Sequence, residues 1–176
     1  MVEVIVSRLG LDSGTQTYVV VLQEKSGSRV LPIWIGQAEA ESIVLHMHNV
    51  KRTRPLTHDL CKSLILGLGG TLRQVQITRV EKNTYYAELH IDRDGGPVQI
   101  DARPSDSIAI ALRLEAPIYA ADALLMIQEE SGEEDAASAP DLSEIEITGQ
   151  DPHLTVEQLK AYLEQLRPED FGKFNI

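Results

Sequence analysis

Three stretches near the start of the chain, residues 2 to 9, 17 to 24 and 29 to 35, have apolar residues that alternate with polar ones or run together at strand length. Asp12-Ser13-Gly14 and Ser26-Gly27-Ser28 separate them, and turn clusters between β-type runs predict hairpins. Val19-Val20-Val21-Leu22 is apolar on both faces, which predicts a central strand covered on two sides. The period then changes. Ala40, Ile43, Val44 and Met47 recur at intervals of three and four, so a helix is expected over residues 37 to 48 with that face inward. A second helix follows, with Thr57 as its N-cap, Leu60, Leu64, Ile65 and Leu68 as its buried stripe, and Gly67, Gly69 and Gly70 as its end.

Alternation returns in residues 71 to 80 and 84 to 92, a hairpin around Glu81-Lys82-Asn83 that places Tyr85, Ala87, Leu89 and Ile91 on one face. Residues 98 to 102 form another strand in which Asp101 and Arg103 point away from Ile100 and Ala102 and are spaced to pair. Ser105 is expected to cap a third helix over residues 106 to 114. Ile108, Ala109, Ile110, Ala111, Leu112 and Leu114 make it apolar nearly all round, so it is buried on both sides or packs on a second subunit. In a domain this small the subunit interface is the favoured reading, giving a homodimer through residues 108 to 114. Residues 117 to 120 read as extended, and residues 122 to 130 as a last helix of the domain. The fold class expected is α+β, a mixed and mainly antiparallel sheet with three main helices, ending near Gln128.

The remainder has another character. Ser131 opens a run rich in Glu, Asp, Ala and Ser that cannot bury enough apolar surface to stay ordered, so residues 129 to 154 read as an acidic flexible linker. Thr155 and Gln158 make a capping box for a short amphipathic helix carrying Val156, Leu159, Leu163 and Leu166, within a terminal segment of residues 155 to 176. The net charge of −11 is unevenly placed. Residues 1 to 128 carry 13 Lys and Arg against 14 Asp and Glu, whereas residues 129 to 176 carry 3 against 13. The front domain is therefore near neutral and holds a basic cluster, Lys51, Arg52 and Arg54, so total charge does not exclude an anionic partner. The acidic tail is expected to be able to occupy that basic surface. The single Cys61 allows no internal disulfide. No apolar run approaches the roughly 20 residues of a membrane span, and no basic leader precedes the first strand, so a cytoplasmic setting and no membrane partner are expected.

Candidate chemistry lies at two similar helix starts, Arg54-Pro55-Leu56-Thr57-His58-Asp59 and Arg103-Pro104-Ser105-Asp106. Proline pre-sets the approach, a hydroxyl caps, and an acid complements the positive helix end. Capping does not account for Arg54 or Arg103, because a cation is unfavourable there unless an anion lies between. That leaves a phosphate held by arginine beside free N–H groups, or an Arg–Asp pair with Asp101 or Asp106. If the two starts meet, His58, Asp59, Asp101 and Asp106 could form an acid/base cluster. Asp101 and Asp106 could then hold a divalent cation such as Mg or Mn, with Lys51, Arg52, Arg54 and Arg103 binding the strand. Trp34 reads as a core aromatic rather than a stacking platform. Gly67-Leu68-Gly69-Gly70 ends a helix, the reverse of a dinucleotide fingerprint, and there is no P-loop or Gly-x-Ser-x-Gly elbow, so no organic cofactor is expected.

These motifs are similar to those of the bifunctional nuclease family, also called the domain of unknown function 151. The matching pieces are Leu31-Pro32-Ile33-Trp34-Ile35-Gly36 with Glu39-Ala40, then Arg54-Pro55-Leu56-Thr57-His58-Asp59, Tyr86-Ala87, Ile100-Asp101-Ala102-Arg103-Pro104-Ser105-Asp106 and Ala116-Pro117-Ile118-Tyr119. The resemblance covers about residues 1 to 128. It implies a family-specific α+β fold, a homodimer, and a nuclease activity on DNA and RNA attributed to some members. Some members carry a C-terminal module related to nucleotide-excision-repair proteins, which Pro168-Glu169-Asp170-Phe171-Gly172 does not resemble. A non-catalytic dimeric module that binds a small anion, or is merely braced by the two Arg-Pro starts, is the alternative from another class.

Overall fold

The computed structural model describes residues 1 to 12, 16 to 50 and 52 to 127. Lys51, Ser13, Gly14, the expected acidic linker and the expected C-terminal helix lie outside the described residues. Strands β1 (Val2–Asp12), β2 (Thr17–Glu24) and β3 (Arg29–Ile35) lead into α1 (Gln37–Met47) and α2 (Thr57–Gly67). After them come β4 (Thr71–Glu81), β5 (Thr84–Asp92), β6 (Val98–Ala102), α3 (Pro104–Leu114), β7 (Ile118–Ala120) and β8 (Met126–Ile127). The eight strands form one sheet in the order β6-β5-β4-β7-β1-β2-β3-β8, antiparallel except where β4 pairs with β7. An α+β fold with a mixed, mainly antiparallel sheet and three helices is therefore observed.

Local chemistry explains most of these elements. Lys82 and Asn83 both have positive φ, the left-handed pair that a two-residue hairpin turn between twisted strands requires. β1 runs three residues further than its alternation predicts, because a bulge between Val6 and Arg8 resets its facing. Val4 and Leu9 are consequently both buried although they are five positions apart, an offset that plain alternation would send to opposite faces.

The core lies between the sheet and the helices. Ile33, Ile43, Val75, Ile77, Ile108 and Ala111 are among its most buried members. α3 packs on α1 and α2 and also against β4 and β5. That arrangement explains why α3 is apolar all round and corrects the expected subunit interface: Ile108, Ala109, Ile110 and Ala111 are buried inside their own chain. α1 and α2 together with β4 and β5 cover the apolar sides of α3 within the one chain.

α2 reverses its expected role as well. Leu60, Leu64, Leu66 and Leu68 are exposed, Leu68 at 80 %, and only Cys61 and Ile65 pack partly on the core. α2 packs chiefly on α3, and Leu64 and Leu68 line an open groove with Val98 and Ile100 rather than filling the core. The predicted last helix is a single 3-10 turn, Asp122–Leu124, followed by β8, whose pairing with Arg29 and Val30 takes up the backbone there. Met47 also departs from the inward face expected for it and is exposed.

Candidate functional site

All three helices begin close to one another, and each carries an acid at its third position. Gly36, Leu56 and Arg103 are the N-caps, with backbone bonds Ala40 N–H to Gly36 O, Leu60 N–H to Leu56 O and Ser107 N–H to Arg103 O. Glu39, Asp59 and Asp106 therefore sit where a carboxylate offsets the unpaired N–H groups and the positive end of the dipole. Asp59 Oδ2 accepts from the Leu56 N–H at 2.8 Å. Thr57 and Ser105 lie inside their helices, so neither hydroxyl is the cap that the sequence predicts. Pro104 occupies the first turn of α3, where its missing N–H costs nothing.

The two Arg-Pro starts do meet. His58 Nε2 is 3.0 Å from Asp106 Oδ1, and His58 Nδ1 is 2.8 Å from Ser42 Oγ on α1. Arg113, on the far end of α3, donates from Nη2 to Ser42 Oγ at 3.0 Å and to Ser42 O at 3.1 Å. With that donation accepted, the Ser42 hydroxyl keeps its own proton to offer His58 Nδ1, an arrangement that suits donation from Nε2–H to Asp106. Arg113 also donates from Nε to Asp59 Oδ1 at 2.6 Å and from Nη1 to Ala109 O at 3.0 Å. Its side chain is 4 % exposed, a buried cation whose charge is met by Asp59.

Arg103 is clamped from two helices. Its Nε donates to Asp106 Oδ2 at 2.8 Å, and Nη2 reaches Glu39 Oε1 at 2.7 Å and Asp106 Oδ1 at 3.2 Å. Nη1 takes no part in these bonds, and the side chain remains 68 % exposed. Of the two partners weighed for Arg103 the structure has Asp106, not Asp101. Burial raises the Asp106 carboxyl, but Arg103 and His58 outweigh it and hold it below the ordinary carboxylate value. Asp59 behaves alike: burial raises it, while Arg113 and the Leu56 N–H bring it below its ordinary value.

A cleft of about 430 Å³ opens over this network, lined by Glu39, Glu41, Ser42, Arg52, His58, Arg103 and Asp106 among others. Arg54 is exposed and lines a neighbouring cleft with His46, Asp59, Lys62 and Arg113. Asp101 belongs elsewhere. Val98 and Ile100 face α2, so alternation sends Asp101 to the opposite side of β6, where it acts electrostatically on Arg79. The one-residue offset that separates Ile100 from Asp101 removes Asp101 from the acid cluster.

Asp101 and Asp106 as placed do not fit a divalent cation. They lie on different faces, and both Asp106 oxygens already accept from three N–H groups of Arg103 and His58. Among the described residues no three His, Cys, Asp or Glu side chains gather closely enough to hold a metal ion.

Ser42 and Arg113 belong to the site without having been singled out in the sequence, and Glu39 stood out there only as part of the family resemblance. Arg113 had a legible signal, a lone cation in an otherwise apolar helix, which requires a buried partner. Ser42 had none. Trp34, expected in the core, is 51 % exposed and donates from Nε1 to Asp12 Oδ2 at 3.1 Å. Leu31, Ile33 and Ile35 take the inward face of β3, and the alternation turns Trp34 outward.

An eight-stranded α+β domain with a polar cleft built on three helix starts is the class that fold and site define. The sequence model of the bifunctional nuclease domain matches residues 20–132, more than half of the chain, and the chain belongs to that family. It is 42 % identical over 153 residues to an uncharacterized protein of Mycobacterium tuberculosis, covering 87 % of each chain. It is 31 % identical over 103 residues to bifunctional nuclease 2 of Arabidopsis thaliana, covering 57 % of this chain and 31 % of that one. With bifunctional nuclease 1 of Oryza sativa subsp. indica it shares 27 % identity over 110 residues, 61 % of this chain and 33 % of that protein. The chain thus matches about a third of the length of these plant relatives. No helix among the described residues is long and apolar enough to cross a membrane.

Proposed function

We propose that the chain is a nuclease that hydrolyses phosphodiester bonds of DNA and RNA with little sequence preference, in the cleft over His58 and Asp106. The observation that carries this reading is Arg103: held at Nε and Nη2 by Asp106 and Glu39, it is still mostly exposed at the cleft mouth. A fixed guanidinium with N–H groups to spare is suited to a phosphate whose charge grows as water attacks. Arg52 lines the same cleft and adds a second cation for the strand. Glu41 takes the proton of the attacking water as its oxygen bonds phosphorus, Arg103 stabilises the phosphoryl oxygens while the ester bond breaks, and the departing alkoxide takes its proton from solvent. His58 has both ring nitrogens engaged, so its part is positioning Asp106 rather than carrying protons.

Cleavage of single-stranded DNA and of RNA by the purified chain is the test. Removing a donor aimed at the transition state lowers such rates by about 10²-fold, so Arg103→Ala is expected to lose cleavage to that extent. Undiminished cleavage in both Arg103→Ala and Glu41→Gln overturns the reading.

A second reading is favoured by the saturation of Asp106 and His58, which suits a brace as well as a catalyst. In it the domain is a non-catalytic, dimeric, anion-binding module. It predicts no cleavage by the wild-type chain and a loss of melting temperature, rather than of activity, in Arg103→Ala. For the dimer itself the exposed leucines of α2, with Ile100 on the adjoining edge strand, supply the apolar surface that residues 108 to 114 do not.

A further inference from the structure

A second cleft, also of about 430 Å³, lies on the other side of Arg103 and is lined by Thr17, Trp34, Asn83, Tyr85, Arg103 and Pro104 among others. Its size is within the range of roughly 300 to 1,000 Å³ that small-molecule sites occupy. Three features set it apart from a surface crevice. Trp34 is half exposed, which a large apolar ring in a strand of this composition does not need for folding, since Leu31, Ile33 and Ile35 already fill the inward face. Its indole N–H is tied to Asp12 Oδ2 at 3.1 Å, so the ring is anchored at its polar edge while its face is not used by that bond. A second aromatic, Tyr85, lines the same cleft from β5.

Arg103 belongs to both clefts, and the two are therefore adjacent across one guanidinium. An aromatic ring beside a fixed cation is the combination that proteins use to hold a single strand, the ring stacking on a base and the cation on the flanking phosphate. A base inside a duplex has its faces covered by its neighbours and cannot reach a ring seated in a cleft. The ring accepts any base, in keeping with a domain that has little sequence preference.

We propose that the cleft between Trp34 and Tyr85 is a stacking subsite for one unpaired nucleobase of a single strand, whose adjoining phosphate lies on Arg103. This rests on the nuclease reading for the identity of the strand and extends it to a preference for unpaired substrate. Trp34 ranks as a specificity residue, since it touches substrate without acting on the reacting bond.

Trp34 is the only tryptophan of the chain, so its emission reports the subsite directly. The full chain is titrated at low salt, with a chelator present, against a six-nucleotide thymidine strand and an abasic strand of equal length. The thymidine strand is expected to quench the emission and to bind at least about five-fold more tightly than the abasic one. Followed by the anisotropy of a fluorescein label on each strand, since the variants lack tryptophan, Trp34→Ala is expected to lose that base preference and Trp34→Phe to retain much of it, a contrast that a folding defect does not produce. Equal affinity for the two strands, unchanged emission at saturation, or failure to bind either strand overturns the subsite. A parallel cleavage assay keeps the two claims apart. Cleavage without base preference sinks the subsite and leaves hydrolysis standing, whereas quenching and base preference without cleavage do the reverse.

Discussion

His58 Nε2 lies 3.0 Å from Asp106 Oδ1, and this one bond ties the start of α2 to the start of α3. Asp106 in turn holds Arg103, so the imidazole fixes the guanidinium through a shared carboxylate. His58→Ala leaves Ser42 and Asp106 each short of a partner. The expected cost is about 1–3 kcal/mol in a denaturant titration, with cleavage falling at the same time because Arg103 loses its footing. Wild-type stability in that variant would show that the junction is not a structural link.

Arg113 has the larger energetic role. Asp59→Ala strands a buried guanidinium, and a broken buried pair costs roughly 3–5 kcal/mol. Asp59 is 38 % exposed, so solvent moderates the loss, and about 2–3 kcal/mol is expected. Replacing both members, Arg113→Met with Asp59→Leu, is expected to recover part of it; a double-mutant cycle in which the two losses simply add refutes the pairing.

Two depressed carboxyls at the site contribute to the acid limit of the fold, as does Glu24, which Arg29 holds below its ordinary value. Asp59 and Asp106 titrate below their ordinary value of 3.8 in the folded chain. Their contribution is therefore complete above that value and is lost as pH falls through the lower, folded one. Denaturant midpoints are expected to be level on the neutral side and to drop below about pH 4, with a shallower drop in Asp106→Asn. An equally steep drop in that variant counts against Asp106 as a source.

Glu39 shares Arg103 with Asp106 and places a negative charge at the cleft mouth. Glu39→Gln removes that charge, so strand affinity at low salt is expected to rise while cleavage falls through a less fixed Arg103. Gly36 probes the same contact sterically: a Cβ there would collide with Glu39 Oε2. Gly36→Ala is expected to shift the carboxylate and reproduce the Glu39→Gln pattern in binding and cleavage titrations, at little cost in melting temperature. Unchanged values in both variants argue that Glu39 does not position Arg103.

Self-association through α2 is open to sedimentation. Charges at Leu64 and Leu68, as Leu64→Glu with Leu68→Glu, are expected to leave a folded monomer, since both side chains are exposed. A dimer that survives this double substitution does not use the α2 face.

Much of the fold was legible because period follows from local geometry. The strands β2, β3, β4, β5 and β6, the hairpin at Lys82 and Asn83, and the extents of α1 and α2 follow from apolar spacing and turn residues within a few positions. The pairing of β4 with β7 and the layering of α3 between α1, α2 and the sheet join residues far apart in the chain. No local pattern carries such contacts, so the apolar spacing alone leaves open what covers α3 and which face of α2 meets the core.

The site divides along the same line. The sequence by itself determined that two Arg-Pro segments, each followed within a few residues by an acid, open α2 and α3, since that order is covalent. Only the tertiary structure decided that those starts touch through His58 and Asp106, that Arg113 reaches back to Asp59, and that Asp101 points to the other face. Those outcomes depend on how helices cross and which side of a strand faces them, and packing settles both.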